Sequence, residues 1–157
     1  MARLHALIVR TVAVQGIDPN MIFLVGVSAG GAMALNYALA YPQDVRAVAV
    51  HSSPGALVAG DIATALAAMS NGPAEDTELL ARRAREALGA NARAILLLAI
   101  HGSADAVVSP KNLEALAAQW RGWHALIGAR ARVETDLIDG LGHAWSGGSA
   151  EGTFTNP

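Results

Sequence analysis

The chain has 157 residues, of which 53% are hydrophobic and 15% are charged. This length and composition fit a single domain over residues 1–157 with its own core, and they exclude a disordered or highly solvated chain. The formal net charge is −2, and no block of lysine or arginine occurs. Neither nucleic acid nor an anionic membrane surface is therefore indicated as a partner.

Cysteine is absent from the sequence, which rules out disulfides, thiolate metal sites and cysteine nucleophiles. A protein of the reduced cytoplasm and a secreted protein without disulfides both fit this composition. The longest uninterrupted apolar run, 94–100, is far shorter than the ~20 residues that span a bilayer. The N-terminus, Met-Ala-Arg-Leu-His, lacks the basic start and apolar core of a signal peptide.

The first part of the chain alternates helical and strand patterns. Apolar positions at helical spacing predict a helix over 4–15, which Gly16 ends. The almost wholly apolar segment 21–27 is typical of a strand that is covered on both faces, as in a parallel sheet. A second helical pattern starts at Ala29 and stops at Pro42.

The alternation continues to residue 138. Strands of this kind separated by helices predict βαβ units and an α/β fold with a mostly parallel sheet flanked by helices. In chain order, the remaining predicted elements are a strand over 45–50, an ambiguous alanine-rich helix within 56–69, a helix over 75–88, a buried strand over 94–100, a helix over 110–127 and an edge strand over 132–138.

The junction between the first strand and the second helix reads Gly26-Val27-Ser28-Ala29-Gly30. A serine hydroxyl is a weak nucleophile, so it must be held clear of the sheet where a base can reach it. A sharp strand-to-helix turn does this, and glycines two residues on either side of the serine relieve its crowding. Ser28 is therefore the candidate nucleophile, although a glycine-rich turn with an incidental serine has the same pattern.

A serine nucleophile needs a histidine base, and five histidines are present. The base is expected on a loop after a late strand, and His143 is placed there by the glycine-rich segment 140–145. Two histidines end predicted strands, near the site but not at the position of the base, and two lie on predicted helices with structural or surface roles. These four are His51, His101, His5 and His124.

The histidine needs an orienting acid, and Asp105 lies just beyond the strand 94–100. Asp136 and Asp139 are nearer to the histidine in sequence. Asp136 is expected to point outward from an edge strand, and Asp139 to shape the turn that follows it. Asp105 is therefore the preferred acid.

A third requirement is a set of backbone N–H groups that stabilise negative charge on the carbonyl oxygen. The Ala29 amide, directly after the candidate nucleophile, supplies one donor. The second normally comes from a loop upstream of the elbow. Only one predicted helix precedes the elbow strand, so the second donor is expected not to lie in this chain.

Three segments together resemble the esterase family of polyhydroxybutyrate (PHB) depolymerases, with its related feruloyl and acetyl-xylan esterases. They are residues 26–34, 101–112 and 142–148, with the sequences Gly-Val-Ser-Ala-Gly-Gly-Ala-Met-Ala, His-Gly-Ser-Ala-Asp-Ala-Val-Val-Ser-Pro-Lys-Asn and Gly-His-Ala-Trp-Ser-Gly-Gly. The resemblance implies an α/β-hydrolase three-layer sandwich and a triad of Ser28, Asp105 and His143. It implies no metal and no organic cofactor, an ester substrate that is small or polymeric, and secretion.

The chain departs from this family at both ends, where the N-terminal strands and a closing helix are expected and not found. The edge of segment 21–27 is then expected to be open, to be covered by the helix 4–15, or to be covered by a partner chain. In the last of these cases the chain forms a homodimer through this edge.

Three residues are expected to line the acyl or alcohol pocket: Trp145, His51 and Ser52. The leading hypothesis is hydrolysis of PHB-type or feruloyl-type carboxylic esters through an acyl-serine intermediate. The same triad also runs peptidase or thioesterase chemistry. The alternative from another class is a weakly active or non-catalytic remnant that acts as a binding or interaction domain.

Overall fold

Helices and strands alternate along residues 1–152 and 155–156, the part of the chain that the computed structural model describes. The α-helices α1–α5 cover Ala2–Gln15, Ala29–Ala40, Ile62–Asn71, Thr77–Leu88 and Lys111–Leu126. The longer strands β1–β4 cover Phe23–Val27, Ala47–His51, Leu96–Gly102 and Val133–Ile138. Two short strands, β5 and β6, cover Trp145–Ser146 and Thr155–Asn156.

Local capping sets where several of these elements begin and end. Helix α1 ends at Gly16, which adopts φ 61° and ψ 32°, a left-handed conformation that glycine tolerates. The ambiguous segment 56–69 becomes helical only after Asp61, because this side chain and that of Thr64 form a reciprocal capping box. Helix α4 starts after Asp76, whose carboxylate accepts the Leu79 amide at 2.7 Å.

Strands β1–β4 form one parallel sheet in chain order. The α/β class, the parallel sheet and the edge position of β4 are thereby confirmed. Parallel strands all end at the same edge of a sheet. The segments that follow β1, β3 and β4 therefore reach one edge, and these carry Ser28, Asp105 and His143.

One face of the sheet is covered by helices. Right-handed crossovers between strands taken in sequential order place every connecting helix on the same side. Val48, Val50 and Leu97 point to this side and are at most 3% exposed. They pack with Trp120 and Trp123 into the hydrophobic core, which holds the sheet against α2, α4 and α5.

The opposite face of the sheet is open within the described residues. Phe23, Val25 and Leu98 point to it and are 55%, 63% and 37% exposed. The prediction that segment 21–27 is covered on both faces is therefore wrong for the described residues. Of the three layers of the predicted sandwich, these residues form two, the sheet and the helices on one side of it. Helix α1 does not cover the strand, since it packs on the core side through Leu4 and Ile8.

Candidate active site

The Ser28 turn is a strained strand-to-helix junction. Ser28 adopts φ 56° and ψ −129°, a region that residues with a side chain rarely occupy. Its amide donates to the His51 carbonyl oxygen at 2.9 Å, and its own carbonyl oxygen accepts the Gly31 amide at 3.0 Å. The end of β1 and the start of α2 thus hold the turn from both sides and leave Ser28 half-buried.

Of the two glycines predicted to relieve crowding at the turn, Gly26 does so and Gly30 does not. A Cβ at Gly26 would lie 2.5 Å from the Gly30 carbonyl carbon and 2.6 Å from the Gly31 nitrogen, whereas one at Gly30 would meet nothing within 4 Å. The other crowded position is Gly31, where a Cβ would lie 2.6 Å from that of Ser53. The prediction that Gly30 relieves crowding is therefore wrong. Gly30 lies in the first turn of α2, where a side chain would point into open space.

The amide of Ala29 opens helix α2. The first N–H groups of a helix have no partner within it, and the helix dipole adds positive potential at this end. Ala29 is itself exposed. Its N–H is therefore available to an oxygen atom that lies beside Ser28.

Asp105 follows β3 and turns its carboxylate inward. Oδ1 accepts the amides of Val107 and Val108 at 2.9 and 2.8 Å. Oδ2 lies 2.8 Å from Nδ1 of His143, and the side chain has no exposed surface. Burial acts to raise the pKa of Asp105, but hydrogen bonds from the Val108 amide, from His143 and from other donors outweigh it and lower the pKa. The carboxylate is therefore ionised at neutral pH.

His143 lies on the loop after β4, and its side chain is 18% exposed. The Leu141 carbonyl oxygen, two residues earlier, accepts the Ala104 amide at 3.0 Å. This approach requires Gly102, where a Cβ would lie 2.6 Å from the Leu141 carbonyl carbon. An imidazole that donates Nδ1–H to a carboxylate keeps Nε2 as an acceptor, which is the tautomer of a general base.

The structure joins two of the three predicted triad residues directly. Among the described hydrogen bonds, none links the Ser28 hydroxyl to His143, while Asp105 and His143 are paired. Ser28 lies at the same edge of the sheet, two strands from Asp105. In unliganded sites the bond between nucleophile and base is often long, so this arrangement is compatible with a triad.

The rival acids and bases lie elsewhere. Asp136 is exposed on β4, and Asp139 accepts the Ser103 hydroxyl at 2.9 Å, which makes it part of a turn. His5 pairs with Asp44 at 2.9 Å. His124 is fully buried in the core, where it accepts the Ile95 amide at 3.2 Å.

Of the three predicted pocket residues, Trp145 is 37% exposed, while His51 and Ser52 are completely buried. Buried side chains offer no surface to a substrate, so these two lie beneath the site. His101 is buried as well and donates Nε2–H to the Val108 carbonyl oxygen at 2.9 Å, which closes the loop of Asp105. The sequence indicates that His51 and His101 lie near the site, because each follows the apolar run of a strand. It does not indicate which atoms their ring nitrogens contact, because those contacts depend on the tertiary fold.

A small pocket adjoins the candidate site. The pocket, about 220 Å³ in volume, adjoins Ala29 and is lined mainly by apolar side chains, including Leu57, Val58 and Met69. No group of three or more potential metal ligands occurs among the residues whose placement is described. In the same part of the chain, no helix combines the length and the apolar character needed to cross a bilayer.

Several solved structures share this fold. An acetyl xylan esterase from Aspergillus awamori is 21% identical over 90% of this chain and 61% of its own, with a TM-score of 0.74. A PHB depolymerase from Penicillium funiculosum is 20% identical over 87% of this chain and 44% of its own, with a TM-score of 0.68. A PHB depolymerase complexed with an R3HB trimer is 19% identical over the same 87% and 44%, with a TM-score of 0.67. The fold is thus an α/β-hydrolase fold.

The family described as "Esterase PHB depolymerase" matches residues 1–137, which include Ser28 and Asp105 but not His143. The chain belongs to this family. It spans 61% of the acetyl xylan esterase and 44% of each PHB depolymerase. No curated protein matches it.

Proposed function

We propose that the protein hydrolyses carboxylic esters through an acyl-serine intermediate, with Ser28, Asp105 and His143 as the catalytic triad. The observation that carries this proposal is the 2.8 Å contact between Asp105 and His143, formed at the sheet edge where Ser28 occupies a strained turn. Membership of the esterase family supports it.

In the proposed reaction, Ser28 Oγ attacks the ester carbonyl carbon as His143 Nε2 takes its proton. The Asp105 carboxylate holds the imidazole in the required tautomer and stabilises its positive form. The Ala29 amide donates to the oxyanion of the tetrahedral intermediate. The bond to the alcohol oxygen then breaks, the alcohol leaves with the proton from His143, and water repeats the cycle to release the carboxylic acid.

The proposed substrates are esters of the polyhydroxyalkanoate type, with a short acyl group, or of the feruloyl type, with a larger aromatic one. The apolar pocket beside Ala29 favours the short acyl group, since about 220 Å³ holds a chain of few carbons. A PHB depolymerase of the same fold binds an R3HB trimer. Rates on short p-nitrophenyl esters, a feruloyl ester and a PHB film separate the types, and faster turnover of a peptide or thioester than of every ester would contradict the proposal.

The nucleophile is tested with a fluorophosphonate probe and mass spectrometry of the adduct. We expect one adduct on Ser28, lost in Ser28→Ala and retained in Ser70→Ala, a matched control because Ser70 is exposed on α3. Labelling that persists in Ser28→Ala would show that another residue is the nucleophile. A folded wild-type chain that neither labels nor hydrolyses esters would favour the binding-domain alternative.

We also propose an extracellular site of action, which the family resemblance supports. An antibody against the protein is expected to detect it in the culture medium of its host. Detection in the cell pellet alone would contradict this location.

We further propose that two copies of the chain pair through β1. Within the described residues β1 has a single partner strand, β2, and its Val25 side chain is 63% exposed. An unpaired strand edge with apolar side chains is a template for pairing with another chain. Sedimentation is expected to show a dimer for the wild type and for Val9→Lys, an exposed control on α1, and a monomer for Val25→Lys; a monomeric wild type would refute it.

A further inference from the structure

The His51 imidazole makes polar contacts at both ring nitrogens although it is completely buried. Nδ1 lies 3.1 Å from the Ser52 hydroxyl. Nε2 lies 3.2 Å from the Ser146 amide nitrogen and 3.2 Å from the Ser146 hydroxyl. Ser146 is three residues after His143. His51, at the end of β2, thus contacts the loop that carries the candidate base.

These contacts determine the tautomer of His51. A backbone amide can only donate, so the Nε2 atom that faces the Ser146 amide must accept and carries no proton. The ring proton of the neutral imidazole is then on Nδ1, which donates it to the Ser52 hydroxyl oxygen. The Ser52 hydroxyl also acts to lower the pKa of the Asp105 carboxyl, although less than the Val108 amide and His143 do.

His51 is thereby connected to all three segments of the candidate site. Its carbonyl oxygen accepts the Ser28 amide at 2.9 Å, and its ring contacts the loop of His143 through Ser146, where His143 is in turn paired with Asp105. The Trp145 ring packs against the imidazole with centroids 5.5 Å apart. Ser52 has φ 50°, a strained conformation for a non-glycine residue that surrounding contacts must maintain.

We propose that neutral His51 is a positioning residue, which holds the His143 loop against the sheet through the Ser146 amide. This role rests on the proposed function of the site, because His51 acts by placing the proposed base, His143, against the proposed acid, Asp105. Protonation of Nε2 would remove this acceptor from the Ser146 amide and release the loop.

The charge environment favours the neutral form. Burial is the largest effect and lowers the pKa of His51, and the nearby His101 and His143 lower it further, while Asp105 acts to raise it. The folded-state pKa is therefore below the ordinary value of 6.5. The contact to Ser146 persists at neutral pH and is lost as the pH falls through that lowered value.

The first test observes the wild-type protein without reference to activity. Nitrogen-15 NMR of the histidine rings is expected to show His51 as the Nδ1–H tautomer at neutral pH, with the Ser146 amide protected from hydrogen exchange. Protection should fall in acid as Nε2 titrates. An Nε2–H tautomer, or a Ser146 amide that exchanges freely at neutral pH, would overturn the proposal.

The second test compares three variants by kcat, KM and probe-labelling rate. His51→Leu removes the acceptor, and a small misplacement of catalytic groups lowers rates by up to about 10²-fold; we expect kcat to fall about 10- to 100-fold with KM nearly unchanged. In His51→Gln the amide oxygen reaches the position of Nε2, so most of kcat is expected to return. His124→Leu removes an equally buried imidazole outside the site, and should lower stability without changing kcat below its melting temperature.

Equal losses in His51→Gln and His51→Leu, or an equal loss of kcat in His124→Leu, would reduce His51 to a structural residue. Failure of the proposed esterase function can be distinguished from failure of the role proposed for His51. A wild type that hydrolyses no ester refutes the esterase assignment, while the tautomer and the Ser146 exchange rate still decide whether His51 holds the loop.

Discussion

Two serines follow neighbouring strands and share an unusual backbone conformation. Ser28 after β1 has φ 56° and Ser52 after β2 has φ 50°. Each amide donates to the adjacent strand at 2.9 Å, from Ser28 to His51 and from Ser52 to Ile100. Their environments differ, because Ser28 is half-buried whereas Ser52 has no exposed surface.

Two strained turns of similar kind therefore leave one serine half-buried and the other completely buried. At β1 a helix starts immediately, with alanine and glycine in its first turn. At β2 the chain continues as an irregular loop, and the Ser52 hydroxyl lies 3.1 Å from Nδ1 of His51. The comparison teaches that backbone strain alone does not distinguish the two serines. Under the proposed function, the half-buried Ser28 is the nucleophile, whereas the buried Ser52 can only support the site from beneath.

The largest difference between the two turns is expected in activity. Ser28→Gly removes the proposed nucleophile and should lower kcat by at least about 10³-fold, whereas Ser52→Gly should lower it about 10-fold through a misplaced acid. In urea titrations Ser28→Gly should also raise the free energy of unfolding by about 1 kcal/mol, because glycine relieves the strain. Ser52→Gly should show no such gain, because buried hydrogen bonds are lost. Equal losses of kcat would erase the distinction.

The next largest difference concerns the glycines that enclose the Ser28 turn. Gly26→Ala places a Cβ against backbone atoms of Gly30 and Gly31, which cannot move aside without distorting the turn. We expect a loss of about 2–3 kcal/mol in the free energy of unfolding. Gly30→Ala is the matched control, with no atom within 4 Å of the new Cβ, and should change stability by less than about 1 kcal/mol. A stable Gly26→Ala protein would show that the turn is not sterically enforced.

The smallest difference appears in the pH dependence of stability. The pKa of Asp105 is lowered in the fold, so its contribution is present above the ordinary value of 3.8 and is lost as the pH falls through the folded-state value. Ser52→Ala removes one of the hydrogen bonds that lower this pKa. Its deficit, about 1 kcal/mol at pH 7, should shrink below pH 4, whereas any effect of Ser28→Ala should not change with pH. Denaturant titrations at pH 7, 5 and 3 measure both.

Much of the fold is predictable from the sequence because the patterns are local. Apolar runs and helical periodicity placed β1–β4 and all five helices to within a few residues, apart from the ambiguous start of α3, which depends on the cap formed by Asp61 and Thr64. The short strands β5 and β6 escaped prediction, since two residues form no periodic pattern. The open sheet face was not predicted, because an apolar strand has the same sequence pattern whether or not another layer covers it.

The candidate site divides in the same way. Residue type and order along the chain singled out Ser28, Asp105 and His143, and the structure brings Asp105 and His143 into contact. Spacing alone assigned relief of crowding to Gly30, whereas the direction of α2 gives that role to Gly31. Position at a strand end suggested His51 and Ser52 as pocket residues, and only their burial shows that they lie beneath the site.

By itself, the sequence determined the α/β class, the order of the strands along the chain and which polar residues follow the strand ends. These features depend only on periodicity and on residue type. The tertiary structure decided which of two similar serine turns faces solvent, which nitrogen of His51 accepts a hydrogen bond, and which face of the sheet stays open. Those outcomes depend on contacts between segments as far apart as His51 and Ser146. No local pattern encodes such contacts, because they form only when parallel strands end at one edge.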